Sequence, residues 1–501
     1  MKKKYDIAII GGGFGGLVCA TILGRHGYKV CVVEKNRSIG GCLQDFNRDG
    51  CHFDTGIHYI GSYDKDQILR KLFEYLDIDR LIEVQKLSES GFDKISVAGT
   101  EYSIPQGIEH FRRQLKEDFP NEWVAIDTYI AKMLEIVSEV ALLNLHKVQK
   151  DSYELYEGLG ISAYDYICSL TDNQSLRDVL SVLNVLSNNQ KTTATLHYHM
   201  IVSHSYIQSA YKVKGGGRAI VEALYDVMKN QEVDFILQAQ VTDIQVAEKR
   251  IQSVGLADGR KIEADAFISD IPPLTFMSML PPKAVKKSYL HRLERQKKSI
   301  PVFSLYIVLE DCKMKYTNSN FYYFKDSDAI WRGDKIDMNE WPTGFMMCAT
   351  ESENNVGYVR NLVIISPIEY DKFEKWADTK VEKRGPEYAE LKKECTQLLI
   401  QQIEQTYPDF SKWIKSISSS SPLTYRDYTG VAHGGMYGTL KDCKNPMGSI
   451  VTTFTSIENL ILTGQSINFH GILGVFLTAL LSCGSFIDIN ELIREINEKE
   501  K

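Results

Sequence analysis

Three glycines and one acid near the start of the chain have the types and spacing to hold a dinucleotide. Gly11-Gly12-Gly13-Phe14-Gly15-Gly16 satisfies G-x-G-x-x-G through Gly11, Gly13 and Gly16. Gly11 permits a tight turn, Gly13 lets backbone N–H groups approach a pyrophosphate, and Gly16 lets a helix pack close on a strand. Glu34 follows at about the distance where such a fold places a carboxylate to accept hydrogen bonds from a ribose diol. The motif alone is weakly specific, and a glycine-rich turn of another α/β unit competes with it.

Specificity comes from the elements that must carry these residues. Residues 5–10 form a short apolar, β-branched run, the pattern of a buried parallel strand. Residues 17–26 have helical periodicity, Gly27 ends the helix, and 29–33 form a second strand closed by Glu34. The helix N-terminus carries free N–H donors and partial positive charge, so it receives phosphates. Strand, loop, helix, strand and acid all fall in the required order.

The glycines do not distinguish NAD from FAD, but the next residues do. Glu34 is followed by Lys35, Arg37 and Gly40-Gly41, then by Phe53-Asp54-Thr55-Gly56. An acid, five residues and Gly-Gly, followed by D-x-G, resembles the flavin amine oxidase and phytoene desaturase superfamily. The string HFDTGIHYIG is similar to its retinol saturase and carotenoid isomerase branch. A second block supports this. Residues 460–462 form a strand before Thr463-Gly464-Gln465, and Gly471-Ile472-Leu473-Gly474 opens a last apolar helix. This resembles the superfamily's closing flavin motif, in which an acid is commoner than Gln465. An amide still bonds a ribityl hydroxyl or phosphate without charge repulsion.

The resemblance implies non-covalent FAD held by Gly11, Gly13, Phe14, Gly15, Gly16, Glu34, Lys35, Gly40, Gly41, Cys42, Val241, Gly464, Gln465, Gly471, Ile472 and Gly474. Val241 matches a position whose backbone meets the adenine. Lys214-Gly215-Gly216-Gly217 matches the family's K-G-G turn and, with no leading strand of the right kind, is not a second phosphate loop. No NAD(P) domain is therefore expected, and electrons would come from external NAD(P)H or another diffusing reductant. His58, Tyr59 and Tyr211 are candidates for the wall of the reaction pocket, with structural packing as the competing role.

Composition bounds the rest. The chain has 501 residues, 44% of them apolar, enough for several domains. A net charge of −7 gives no sign of nucleic-acid binding. Ten scattered cysteines without C-x-x-C suggest reduced thiols in a cytoplasmic compartment. Residues 1–19 have lysines and an apolar run like a signal peptide, but Asp6 interrupts the run, the glycines suit phosphate binding and no convincing small-residue cleavage site follows; 471–487 are slightly short and glycine-broken for a membrane span. His197, His199 and His204 have no carboxylate or cysteine at metal-binding spacing, so no metal site is expected. Residues 283–298 carry seven Lys/Arg against one Glu. That pattern suits a solvated helix face or a peripheral contact with anionic lipid.

The expected architecture is α/β: a Rossmann-like FAD-binding domain of the amine oxidase and phytoene desaturase type, with a discontinuous mixed α+β substrate domain. Residues 1–85, 211–282 and 421–501 would form the first, and 86–210 and 283–420 the second. Within the second, 92–104 read as a hairpin, 108–210 as mostly helical, and 301–309 as an alternating strand. The function implied is oxidoreduction at carbon–carbon double bonds of an apolar polyene, isoprenoid or lipid, by saturation, desaturation or isomerisation. An amine oxidase is a second reading, weakened because PVFSLYIVLE carries no lysine to sit near the flavin. A non-catalytic lipid carrier of the Rab escort type is the third, opposed by the intact glycine motif.

Overall fold

The computed structural model describes residues 4–148, 157–333, 336–381 and 383–499. Its organising layer is a five-stranded parallel sheet in the order Val233–Ile236, Val30–Val33, Tyr5–Ile10, Ala264–Ser269 and Leu460–Leu462. Runs such as VCVV and LIL are buried at every residue because helices cover one face and a small antiparallel sheet the other. Each enclosed Val or Ile contributes roughly 1.5–3 kcal/mol over exposure. Helix Phe14–Arg25 begins three residues earlier than periodicity suggests, inside the glycine motif itself, and Gly27 follows its end at φ +83°.

The chain leaves this sheet after Val33 and again after Ser269, returning at Val233 and at Leu460. Both excursions contribute to a seven-stranded sheet. Its order is Ile414–Ser420, Val302–Leu309, Val359–Pro367, Gly344–Glu351, Asn320–Phe324, Asp93–Val97 and Thr100–Ile104. The last two strands are the expected hairpin, turning at Ala98 and Gly99 with positive φ. Strand Val302–Leu309 is buried at all eight positions, not on alternate residues as its pattern suggests. Phe303, Leu305 and Ile307 pack into one core, while Val302, Tyr306 and Val308 pack into another on the opposite face.

Helices Ile108–Asp118, Trp123–Glu139, Ala163–Leu170, Gln174–Ser181 and Leu196–Gln208 share a core with the 93–104 hairpin. The three-glycine turn at 215–217 opens helix Gly216–Met228, and the Gly217 N–H donates to Asp54 at 2.8 Å. The D-T-G and K-G-G stretches thus bind each other. Among the described residues no helix is long and apolar enough to cross a membrane.

Candidate functional site

Strand order reverses at Tyr5–Ile10, where the chain runs to Val30–Val33 on one side and pairs with Ala264–Ser269 on the other. Doubly wound sheets bind ligands outside the carboxyl ends of the strands at such a point. A cavity lies there, lined by Ile10, Val33, Asp270 and Thr463 from four strand ends. It also takes in the glycine loop, Gly40 to Leu43, Ala239 to Val241, and Tyr428 to Val431.

At one end Glu34 is buried, with Oε2 accepting from the Gly12 N–H and Oε1 from the Asn36 N–H, both at 2.8 Å. The residue is thus positioned by the loop it serves. Val241 and Gln240 stand beside it, while Lys35 reaches outward to donate to the Asp427 carbonyl at 3.1 Å. Gly40 donates its N–H to the Gly12 carbonyl at 2.6 Å. A Cβ on Gly41 would come within 3.0 Å of Gly13 Cα, so the second glycine pair packs directly on the first. At the other end Gly464, Gln465, Gly471 and Ile472 line the cavity, and His470 caps helix Gly471–Cys483.

Of the cofactor positions read from sequence, the cavity collects Gly11, Gly13, Phe14, Gly15, Glu34, Lys35, Gly40, Gly41, Cys42, Val241, Gly464, Gln465, Gly471 and Ile472. Gly16 lies beneath its floor, where a Cβ would meet the Gly11 carbonyl oxygen at 2.5 Å. Gly474 lines a second space instead.

That second space shares Gly56, Gly471 and Ile472 with the first. It is an apolar chamber walled by Ile57, Leu186, Ile201, Met346, Ile365, Met436, Phe469 and Leu477. His58 and Tyr59 are in its wall. Burial, with help from Lys212, pushes His58 down to about 4, so its imidazole is neutral near pH 7. His470, stacked on Tyr437 at 4.5 Å, is pushed to about 3 by burial and by Lys441. No Asp, Glu, Lys or Arg among the described residues lines this chamber.

Tyr211 reaches neither space. Its strand, Ala210–Val213, is held between Ile60–Gly61 and Val84–Lys86, and its hydroxyl donates to Asp64. The proposed pocket role of Tyr211 therefore gives way to a structural one. Of the three histidines of helix Leu196–Gln208, His197 and His199 are buried and His204 is half-buried: His199 meets the Tyr129 hydroxyl at 2.9 Å, and burial pushes all three down to about 4. The described residues contain no cluster of three metal-ligating side chains.

Asp270 is the residue that sequence reading missed. It directly follows strand Ala264–Ser269 and lines the cavity. It shares with Glu34 the position of an acid just past a parallel strand beside the glycine strand, a position recognisable only once Ala264–Ser269 is seen to pair with Tyr5–Ile10. A groove running from the buried Glu34 carboxylate, past the helix start at Phe14, to the N-terminus of helix Gly471–Cys483 has donor chemistry that suits a dinucleotide of the FAD type.

The family of NAD(P)-binding Rossmann-like domains matches residues 9–76. All-trans-retinol 13,14-reductase of Danio rerio is 26% identical, over 97% of this chain and 86% of the relative. A 4,4'-diapophytoene desaturase of Staphylococcus haemolyticus is 23% identical over 56% of this chain and 58% of its own. The solved structure of cyclohexylamine oxidase from Brevibacterium oxydans superposes with a TM-score of 0.62 at 15% identity, covering 98% of this chain and all of that one (100%).

Proposed function

We propose, from this chain's kinship with the all-trans-retinol 13,14-reductases and the diapophytoene desaturases, that it is an FAD-dependent oxidoreductase acting on carbon–carbon double bonds of a hydrophobic polyene. The observation that carries this reading is the apolar chamber joined to the dinucleotide groove at Gly56, Gly471 and Ile472. When bound non-covalently in the groove, FAD supplies hydride transfer to or from carbon. The chain's residues bind and orient. Ile201, Met346, Ile365 and Phe469 exclude water from an extended apolar substrate, while neutral His58 and His470 add polarity without charge.

The amine oxidase fold likeness extends to architecture alone. A cationic amine buried in this chamber would lack a carboxylate partner. Electrons are expected from a diffusing donor, NAD(P)H or another, and the favoured direction starts from reduced flavin.

The test is anaerobic incubation of oxidised and chemically reduced protein with a retinoid or linear carotenoid, followed by mass analysis. A gain of about two mass units with the reduced form is expected. A retention shift at constant mass would assign isomerisation, and a loss of two units with the oxidised form desaturation. Amine turnover with peroxide release would overturn the reading.

A further inference from the structure

Asp270 stands against the phosphate-binding loop. A Cβ placed on Gly13 would come 2.5 Å from its Oδ2, and one on Gly15 or Gly464 would come 2.7 or 2.5 Å from its Oδ1. The carboxyl therefore fills the space that these glycines leave. Its Oδ2 is buried and has no hydrogen-bond partner among the described residues. The loop is the start of helix Phe14–Arg25, where unpaired N–H groups and the helix dipole favour an anion. An anion belonging to the chain already faces them.

We propose that Asp270 sets the affinity of the dinucleotide site, and that the dinucleotide binds together with one proton taken up at the Asp270 carboxyl. The proposal rests on the FAD reading above. A diphosphate and a carboxylate would lie against the same N–H groups of Gly13 and Gly16 and repel each other. The carboxylic acid instead donates a hydrogen bond to an anionic oxygen. The step balances: carboxylate plus a solvent proton gives the acid, and the diphosphate enters with its charge unchanged.

Three elements bring polar side chains toward Asp270. From the end of Val30–Val33 comes Glu34, whose oxygens are both held by backbone N–H groups, with Lys35 beyond it. From the 41–43 turn comes Cys42, a thiol that burial and then Asp270 push up to about 11. After Leu460–Leu462 comes the neutral Gln465. Burial pushes Asp270 up to about 7; the Gly16 N–H opposes this, Glu34 adds to it, and the Gly13 N–H opposes it.

FAD titration by fluorescence, repeated from about pH 6 to about pH 9, tests the proposal, with ADP-ribose as a probe that carries the doubly esterified diphosphate without the flavin. Above about pH 7 the Kd should rise by up to about tenfold per pH unit for both ligands. Asp270→Asn should bind tighter than wild type at alkaline pH, with no such slope. Calorimetry of the wild type in two buffers of different ionisation enthalpy should show proton uptake near pH 7 that the variant lacks. A wild-type Kd independent of pH, or a slope retained in Asp270→Asn, overturns the proposal alone. Absence of FAD binding at every pH overturns it together with the flavoprotein reading.

Discussion

The Tyr59 hydroxyl donates to the buried Asp93 carboxyl at 3.0 Å and lies 2.9 Å from the Tyr322 hydroxyl. Asn320 donates to the other Asp93 oxygen at 2.9 Å. Burial nevertheless pushes Asp93 from 3.8 up to about 7, against those hydrogen bonds and the charge of Lys212. Tyr59 thus joins the wall of the apolar chamber to a carboxyl that titrates near neutrality.

Asp93 makes folding depend on pH. Its folded pKa exceeds its unfolded one, so between about pH 4 and about pH 7 the folded protein keeps a proton that the unfolded chain has released. Its contribution is full below about pH 4 and is lost as pH rises through about 7, at about 1.4 kcal/mol per pKa unit. Cofactor-free protein should melt at a lower temperature at about pH 8 than at about pH 6. Asp93→Asn should narrow the gap. Equal gaps in both proteins would show that Asp93 does not titrate in this window.

Two glycines of the same motif should fail differently. A Cβ on Gly13 meets the Asp270 side chain, which can rotate, whereas one on Gly16 meets the Gly11 backbone carbonyl, which cannot yield without moving the strand end. Gly13→Val should lose FAD with little change in melting temperature. Gly16→Val should lose FAD and, as an overpacked site, about 1–3 kcal/mol of stability. Flavin absorbance and thermal melts of the two variants decide it, and equal melting temperatures would remove the distinction.

The groove was legible because its residues are contiguous in sequence and their types are fixed by backbone geometry. Gly11 to Glu34 and Gly464 to Ile472 reach one cavity through local strand–turn–helix units. Asp270 was not, because an acid after a strand matters only once that strand lies beside Tyr5–Ile10, a pairing between residues far apart in the chain. The chamber drew on Leu186, Met346, Met436 and Phe469 from four separate stretches, and no local pattern marks such residues as neighbours. Tyr211 misled because it precedes the K-G-G turn in sequence, while its side chain turns to Asp64.

Filling the chamber should separate substrate from cofactor. Met346 lies in its wall, on strand Gly344–Glu351, and does not line the dinucleotide groove. Met346→Trp should leave flavin content unchanged and lower polyene turnover at least tenfold, about 1.4 kcal/mol in the barrier. Tyr211→Phe should do the reverse: it removes the bond to Asp64, for a loss of about 1 kcal/mol in stability, with turnover kept. Loss of turnover in Tyr211→Phe, measured at full flavin occupancy, would return that residue to the reaction pocket.

The basic segment 283–298 allows a sharper test of membrane contact than its charge count does. Leu293 anchors helix Lys287–Arg295 into the core that covers the parallel sheet. Lys297 is tied to Asp442 at 3.3 Å, and Lys298 is partly buried, with its pKa pushed down by burial. The exposed charges free to meet a surface are therefore Lys283, Lys286, Lys287 and Arg295. Each contributes at most about 1 kcal/mol near anionic lipid, so binding should be weak and should fall as salt rises. Reversing Lys286 and Lys287 to Glu should abolish pelleting with phosphatidylserine vesicles at low salt while leaving melting temperature and flavin content unchanged. Pelleting that survives the reversal, or that does not respond to salt, would mark the segment as a solvated helix face with no role in membrane contact.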